Sequence, residues 1–214
     1  MGDPVYNHLK SVAKARNLNE MEFMAAMQDY MKAVRVHESG NIYTKIQDVE
    51  TSPGVLEEVG VARGAYQYEM DAGRKKGAPG TTYGAATALR STKNLFKELG
   101  DVPNWINTLI VKYQKEGDID FSEIEPWQQD IIFISDKARS NKVELQEIIN
   151  AFKLGSDDRK KEYAKIWGKS HKKSADYKKD LTKEGYLRQD TNIKKDTDTS
   201  SLIDGWNKED NIFA

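Results

Sequence analysis

Cysteine is absent from this chain of 214 residues, and histidine occurs three times. Without cysteine there is neither a disulfide framework nor a thiolate metal site. The compartment stays open, because cysteine-free chains occur inside and outside cells. His8, His37 and His171 are scattered along the chain, and none has a partner at zinc-binding spacing. Asp118 and Asp120 in GDIDFSE echo a calcium loop, but the full ligand pattern is missing and a surface turn is the simpler reading. No cofactor or metal is therefore expected. The phosphate-cradling glycine loop, the dinucleotide fingerprint and the strained serine elbow are all lacking. The opening MGDPVYNHLK has no long apolar stretch, and no window elsewhere approaches the ~20 apolar residues of a membrane helix. Neither a secretory signal nor a membrane partner is expected, and action outside the cytoplasm would need delivery by other means. Strong charge of one sign is missing too. Thirty-three Lys and Arg against 34 Asp and Glu leave a formal charge of -1, which gives no whole-chain argument for nucleic acid or an anionic membrane.

What is present is amphipathic periodicity. Between residues 19 and 36, Met21, Met24, Ala25, Met27, Tyr30, Met31 and Val34 recur at helical spacing behind an Asn19 cap, so a helix is expected to end near Glu38. A stretch punctuated by Gly40, Pro53, Gly54, Gly60 and Gly64 follows, with a β-like run over 41–49. It predicts a small sheet or hairpin lobe. Further helices are expected over 83–99, stopped at Gly100, over 103–114, after Pro126, and over 145–152. The fold class is thus α+β and predominantly helical.

Composition changes near Gly155. Residues 158–195 carry 13 Lys and Arg against 6 Asp and Glu, and residues 190–201 are polar without an apolar face, as in extended segments. Leu202, Ile203, Trp206, Ile212 and Phe213 then return. The division expected is a domain at 1–154 and a basic, partly extended tail at 155–214 whose aromatic end docks on another protein. A strand returning to the core is the plainer alternative for that end.

Glu38 in VRVHESGN stands where an apolar helix meets a turn. A carboxyl placed there can be partly desolvated, which favours its protonated form and suits it to act as an acid near neutral pH. Glycosidic cleavage needs such a donor on the leaving oxygen. By itself Glu-Ser-Gly is a weak signal, equally at home as a solvated helix end. Downstream, in GVARGAYQYE, glycine lets backbone approach a polymer, while Tyr66 offers an aromatic face and Gln67 an amide. Core filler is the alternative for Tyr66.

Taken together, Glu38-Ser39, Ala62-Arg63-Gly64-Ala65-Tyr66-Gln67, and Phe121-Ser122 followed by Pro126-Trp127-Gln128-Gln129-Asp130 resemble, in that order, the motifs of the lysozyme-like superfamily. Phage and bacterial lytic transglycosylases and lambda-type endolysins are the nearest in pattern. The resemblance spans about residues 20–150. It implies a two-lobed lysozyme-like fold with a small β or loop lobe, and cleavage between N-acetylmuramic acid and N-acetylglucosamine. It makes Glu38 the catalytic acid, gives glycan-binding or cleft-shaping roles to Ser39, Tyr66 and Gln67, and gives structural roles to Gln129 and Asp130. Val61 stands where the family has glycine. The family's Ala-Tyr-Asn tyrosine has no counterpart, unless Tyr83 or Tyr113 substitutes.

Asp48, ten residues after Glu38, is the possible second carboxylate. It would serve a hydrolase, whereas the Tyr-Gln segment resembles lytic transglycosylases, which use one glutamate. The expected setting is a phage virion acting on peptidoglycan in the bacterial cell wall, with the tail held by other virion proteins. A virion adaptor that keeps a degenerate lysozyme-like fold is the rival reading. A nucleic-acid binder would rest on the lysines around Tyr163, Trp167, Tyr177 and Tyr186. Such runs are usually solvated faces, so no nucleic-acid partner is expected.

Overall fold

Asp3 is the first helix cap of the fold. In a computed structural model describing residues 3–70, 84–140 and 142–171, its side chain accepts the Val5 and Tyr6 amides ahead of α1 (Pro4–Ala15). Proline fits the first turn because the amide it lacks would have no helical partner there. This helix adds to those expected from the sequence. α2 (Glu20–Ser39) starts on the Asn19 cap, with Glu20 and Glu22 in its first turn, and stops where Gly40 turns left-handed at φ 65°.

β1 (Ile46–Ser52) and β2 (Val55–Arg63) form an antiparallel hairpin closed by Pro53-Gly54, with Asp48 opposite Glu58 and Ser52 opposite Val55. A two-residue strand, β3 (Tyr68–Glu69), pairs with the end of β2 to complete a sheet in the order β1-β2-β3. The expected small β lobe is therefore a hairpin plus a short third strand. It begins five residues later than the β-like run at 41.

Four further helices build the rest. α3 (Ala85–Leu99) stops at left-handed Gly100, and α4 (Asn104–Glu116) buries only Ile106. After a 3-10 turn at Phe121–Glu123 come α5 (Pro126–Ser140) and α6 (Lys142–Phe152). α2 lies in the middle of the core: Phe23, Met27, Tyr30 and Val34 are buried together with Leu9 and Val12 of α1, Ile132 and Phe133 of α5, and Ile148 of α6. Among the described residues no helix is long and apolar enough to cross a membrane.

One more helix, α7 (Ser156–His171), crosses the domain boundary expected after residue 154. Tyr163, Ala164 and Ile166 belong to the same buried cluster as α2 and α6, and the Tyr163 hydroxyl donates to the Ala26 carbonyl at 3.3 Å. Arg159 pairs with Asp29 of α2 at 3.3 Å. The packed unit thus runs through Trp167. The lysine excess hid an apolar stripe, because Lys161 and Lys165 point to solvent while Tyr163, Ala164 and Trp167 share the inner face. Tyr83, Tyr177, Tyr186 and the docking end of the expected tail lie outside the described residues.

Candidate functional site

The C-terminal turn of α2 is where the three sequence motifs meet. Arg35, one turn before Ser39, sends its Nε to Asn41 Oδ1 at 3.0 Å and its Nη1 to the Tyr66 hydroxyl at 3.0 Å and Asp130 Oδ1 at 3.2 Å. The Tyr66 hydroxyl donates to Asp130 Oδ1 at 2.6 Å, and the Tyr43 hydroxyl donates to the same carboxylate at 2.9 Å. One carboxylate therefore gathers three donors from α2, the loop behind it and the turn after β2. Burial raises the Tyr66 and Tyr43 hydroxyls above the ordinary tyrosine range, and the adjacent Asp130 charge adds to this. Burial opposes the Arg35 cation, but Tyr66, Asp130 and Tyr43 outweigh it and raise its pKa.

Gln129, fully buried at 0% exposure, ties the same elements through its amide. Its Oε1 accepts the Ala65 amide at 2.8 Å, and its Nε2 donates to the carbonyls of Tyr43 and Ile124, each at 3.0 Å. This explains Gly64. Its φ is +77°, and a Cβ there would stand 2.5 Å from Gln129 Oε1. The structural roles expected of Gln129 and Asp130 are the roles they have here.

Glu38 lies at the end of α2 with its side chain 21% exposed. Its Oε1 accepts the Trp167 indole N–H at 2.8 Å, and His37 Nε2 is 3.6 Å from that same oxygen. No hydrogen bond among the described residues occupies Oε2. An accessible carboxyl with one oxygen anchored and one open is able to give or take a proton.

The other expected site residues are placed less uniformly. Gln67, half-buried at the unusual φ of +48°, donates through Nε2 to the Gly64 carbonyl at 2.8 Å. No hydrogen bond among the described residues uses its Oε1. Tyr66 points inward: it is 4% exposed, and its ring stacks on Phe133 with centroids 4.1 Å apart. Its contribution is to the core and the Asp130 network, not an open aromatic face. Ser39 is also turned to the protein, donating to the Arg35 carbonyl at 3.0 Å and accepting the Ile42 amide at 3.1 Å. That hydroxyl shapes the helix exit. Asp48 sits on β1 opposite Glu58, and Lys45 bridges the two at 2.9 and 2.8 Å. Facing carboxylates repel, so the lysine between them is sufficient reason for Asp48.

Arg35, Tyr43 and Trp167 are the residues that sequence reasoning left outside the site. Trp167 had a readable signal, its helical spacing from Tyr163 within the lysine-rich stretch. Its pairing with Glu38, 129 residues away, had none. The chain significantly matches no protein-family model, no curated protein and no solved structure.

Proposed function

We propose that this chain cleaves peptidoglycan glycan strands between N-acetylmuramic acid and N-acetylglucosamine, as a lytic transglycosylase with Glu38 as acid and then base. The observation that carries this reading is the convergence of three motifs. The turn bearing Glu38-Ser39, the Gly64–Gln67 turn and the start of α5 are joined through Arg35, Tyr66, Gln129 and Asp130. A lysozyme-like fold implies a glutamate at a helix end ahead of a small β lobe, and the chain order, with Glu38 at the end of α2 and β1 following at Ile46, supports that reading.

In this reading Glu38 Oε2 gives its proton to the glycosidic oxygen as the bond to the muramic C1 breaks, and charge develops on the sugar ring. The resulting carboxylate takes the proton of the muramic C6 hydroxyl, whose oxygen closes on C1. The product ends in a 1,6-anhydro ring, with no water consumed. Gln67 Oε1 would accept from a sugar hydroxyl or an N-acetyl N–H. The ion pair holding Asp48 to Lys45 supports a mechanism with one carboxylate. The setting proposed is a phage virion that opens the bacterial wall, its C-terminal segment held by other virion proteins.

Purified sacculi test the reading. Wild type should clear them, and Glu38→Gln, which keeps the shape but has no proton to give, should be slower by at least about a hundredfold. Mass spectrometry should find anhydro-muramic ends, with Asp48→Asn retaining most activity. Reducing ends heavier by one water, together with an inactive Asp48→Asn, would make the chain a hydrolase. A second reading has its own observation. The hydroxyls of Tyr66 and Ser39 are both spent on internal hydrogen bonds, as in a virion adaptor that keeps the fold and binds glycan without cutting it. Glycan binding without cleavage of any sacculus would favour it.

A further inference from the structure

We infer that Trp167 is a positioning residue for Glu38: its indole N–H fixes Oε1, so that the transferable proton resides on Oε2 and faces outward. The inference rests on the reading of Glu38 as the acid. An indole nitrogen donates and never accepts, and the carbonyl oxygen of a carboxyl group is a better acceptor than its hydroxyl oxygen, so the 2.8 Å contact favours Oε1 as the unprotonated oxygen in either state of the carboxyl. A protonated Glu38 therefore carries its proton on Oε2, which no described residue occupies. Rotation of the carboxyl would break the bond to the indole, so the pair orients the acid as well as holding it.

The indole is itself held. Its ring lies 6.1 Å from Phe133, and Lys137 Nζ stands 4.8 Å from its centroid. Lys137 is in turn pinned by Glu144 at 3.0 Å. A cation over an indole face is attracted to it, and pairing with Glu144 limits where that cation can go. α7 is anchored by the buried Tyr163, Ala164 and Ile166. These contacts argue against a removable cover. Undocking the helix would expose part of the core, and Glu38 is accessible with the helix in place.

Two measurements on the full chain separate this inference from the enzymatic reading. The first needs no activity. The four tryptophan indole N–H resonances, assigned by replacing each tryptophan with phenylalanine, are compared at one neutral pH between wild type and Glu38→Gln, with His37→Gln as the control for the imidazole 3.6 Å from the same oxygen. The Trp167 resonance should shift upfield in Glu38→Gln, because a neutral amide oxygen is a weaker acceptor than a carboxylate, while the other three are unchanged. A Trp167 resonance indifferent to Glu38→Gln overturns the inference.

The second is cleavage of sacculi by Trp167→Phe, which keeps the ring and loses the donor. A hydrogen bond to an ionisable group supports a fall of roughly ten- to a hundredfold in kcat with KM little changed. An unchanged or faster variant overturns the inference, a faster one favouring occlusion by α7. Should Trp167→Phe fail to melt cooperatively, the resonance test in wild type and Glu38→Gln decides. If wild type cuts nothing, the cleavage reading falls, and the resonance test still decides whether Trp167 holds Glu38.

Discussion

Lowering the pH should destabilise this fold through His8, by an amount that its surroundings set. His8 is 4% exposed on α1, with its ring stacked on Phe96 at 4.7 Å. Ser135 Oγ donates to the Ile131 carbonyl at 2.8 Å, so its proton is committed, and the 2.9 Å contact to His8 Nε2 has the imidazole as donor. The neutral ring therefore carries its proton on Nε2, and Nδ1 has no hydrogen-bond partner. Protonating Nδ1 would place a cation and an unsatisfied donor in the core. Burial accordingly pushes the imidazole from 6.5 down to about 4.

Between those values the unfolded chain binds the proton and the folded chain does not. Stability is full above about pH 6.5 and declines as pH falls, by about 1.4 kcal/mol per unit. The loss reaches about 2 kcal/mol at pH 5 and roughly 3 kcal/mol at pH 4, a large part of the ~5–15 kcal/mol that holds a domain together. His8→Phe keeps a stacking ring and leaves Ser135 bonded to Ile131. Urea unfolding of both proteins from pH 4 to 7.5 should show the wild-type-minus-variant difference falling by roughly 3 kcal/mol toward acid. Parallel profiles, or an imidazole titrating near 6.5 in the folded protein, would refute the assignment.

Gly64→Ala should cost about 2–4 kcal/mol in thermal or urea unfolding, since it combines left-handed strain with a clash on Gln129. Gly54→Ala, equally left-handed at φ +78° but with open space around it, should cost only about 1–2 kcal/mol. Asp130→Ala removes the acceptor shared by Arg35, Tyr43 and Tyr66, and a loss of roughly 3–5 kcal/mol is expected by chemical denaturation. Tyr163→Ala should cost a comparable ~3–5 kcal/mol, and a chain ending at Gly155 should lose its cooperative melting transition. A truncated chain that melted as wild type does would show α7 to be an appendage.

Local chemistry made much of the helical frame legible before any coordinates. Asn19, Gly40, Gly100 and Pro126 act within a few residues of themselves, by accepting an end amide, by turning left-handed or by lacking an amide. α2, α3 and α5 accordingly start or stop where those residues predict. The same locality makes Gly64 recognisable as a special backbone position and Glu38 as a carboxyl at a helix end. What surrounds a side chain is a different matter, because the 3.6-residue period defines a face but not its partner. Tyr66 has a core-facing ring only because Phe133 and Asp130 arrive from α5. Seven of the eleven residues 161–171 are polar or glycine, yet α7 is part of the core, because Tyr163, Ala164 and Ile166 find room beside α2 and α6. The hydrogen bond that Glu38 accepts comes from an indole delivered by that helix from 129 residues away. Capping is written in neighbouring residues, whereas burial and pairing across the chain depend on which helices share a core.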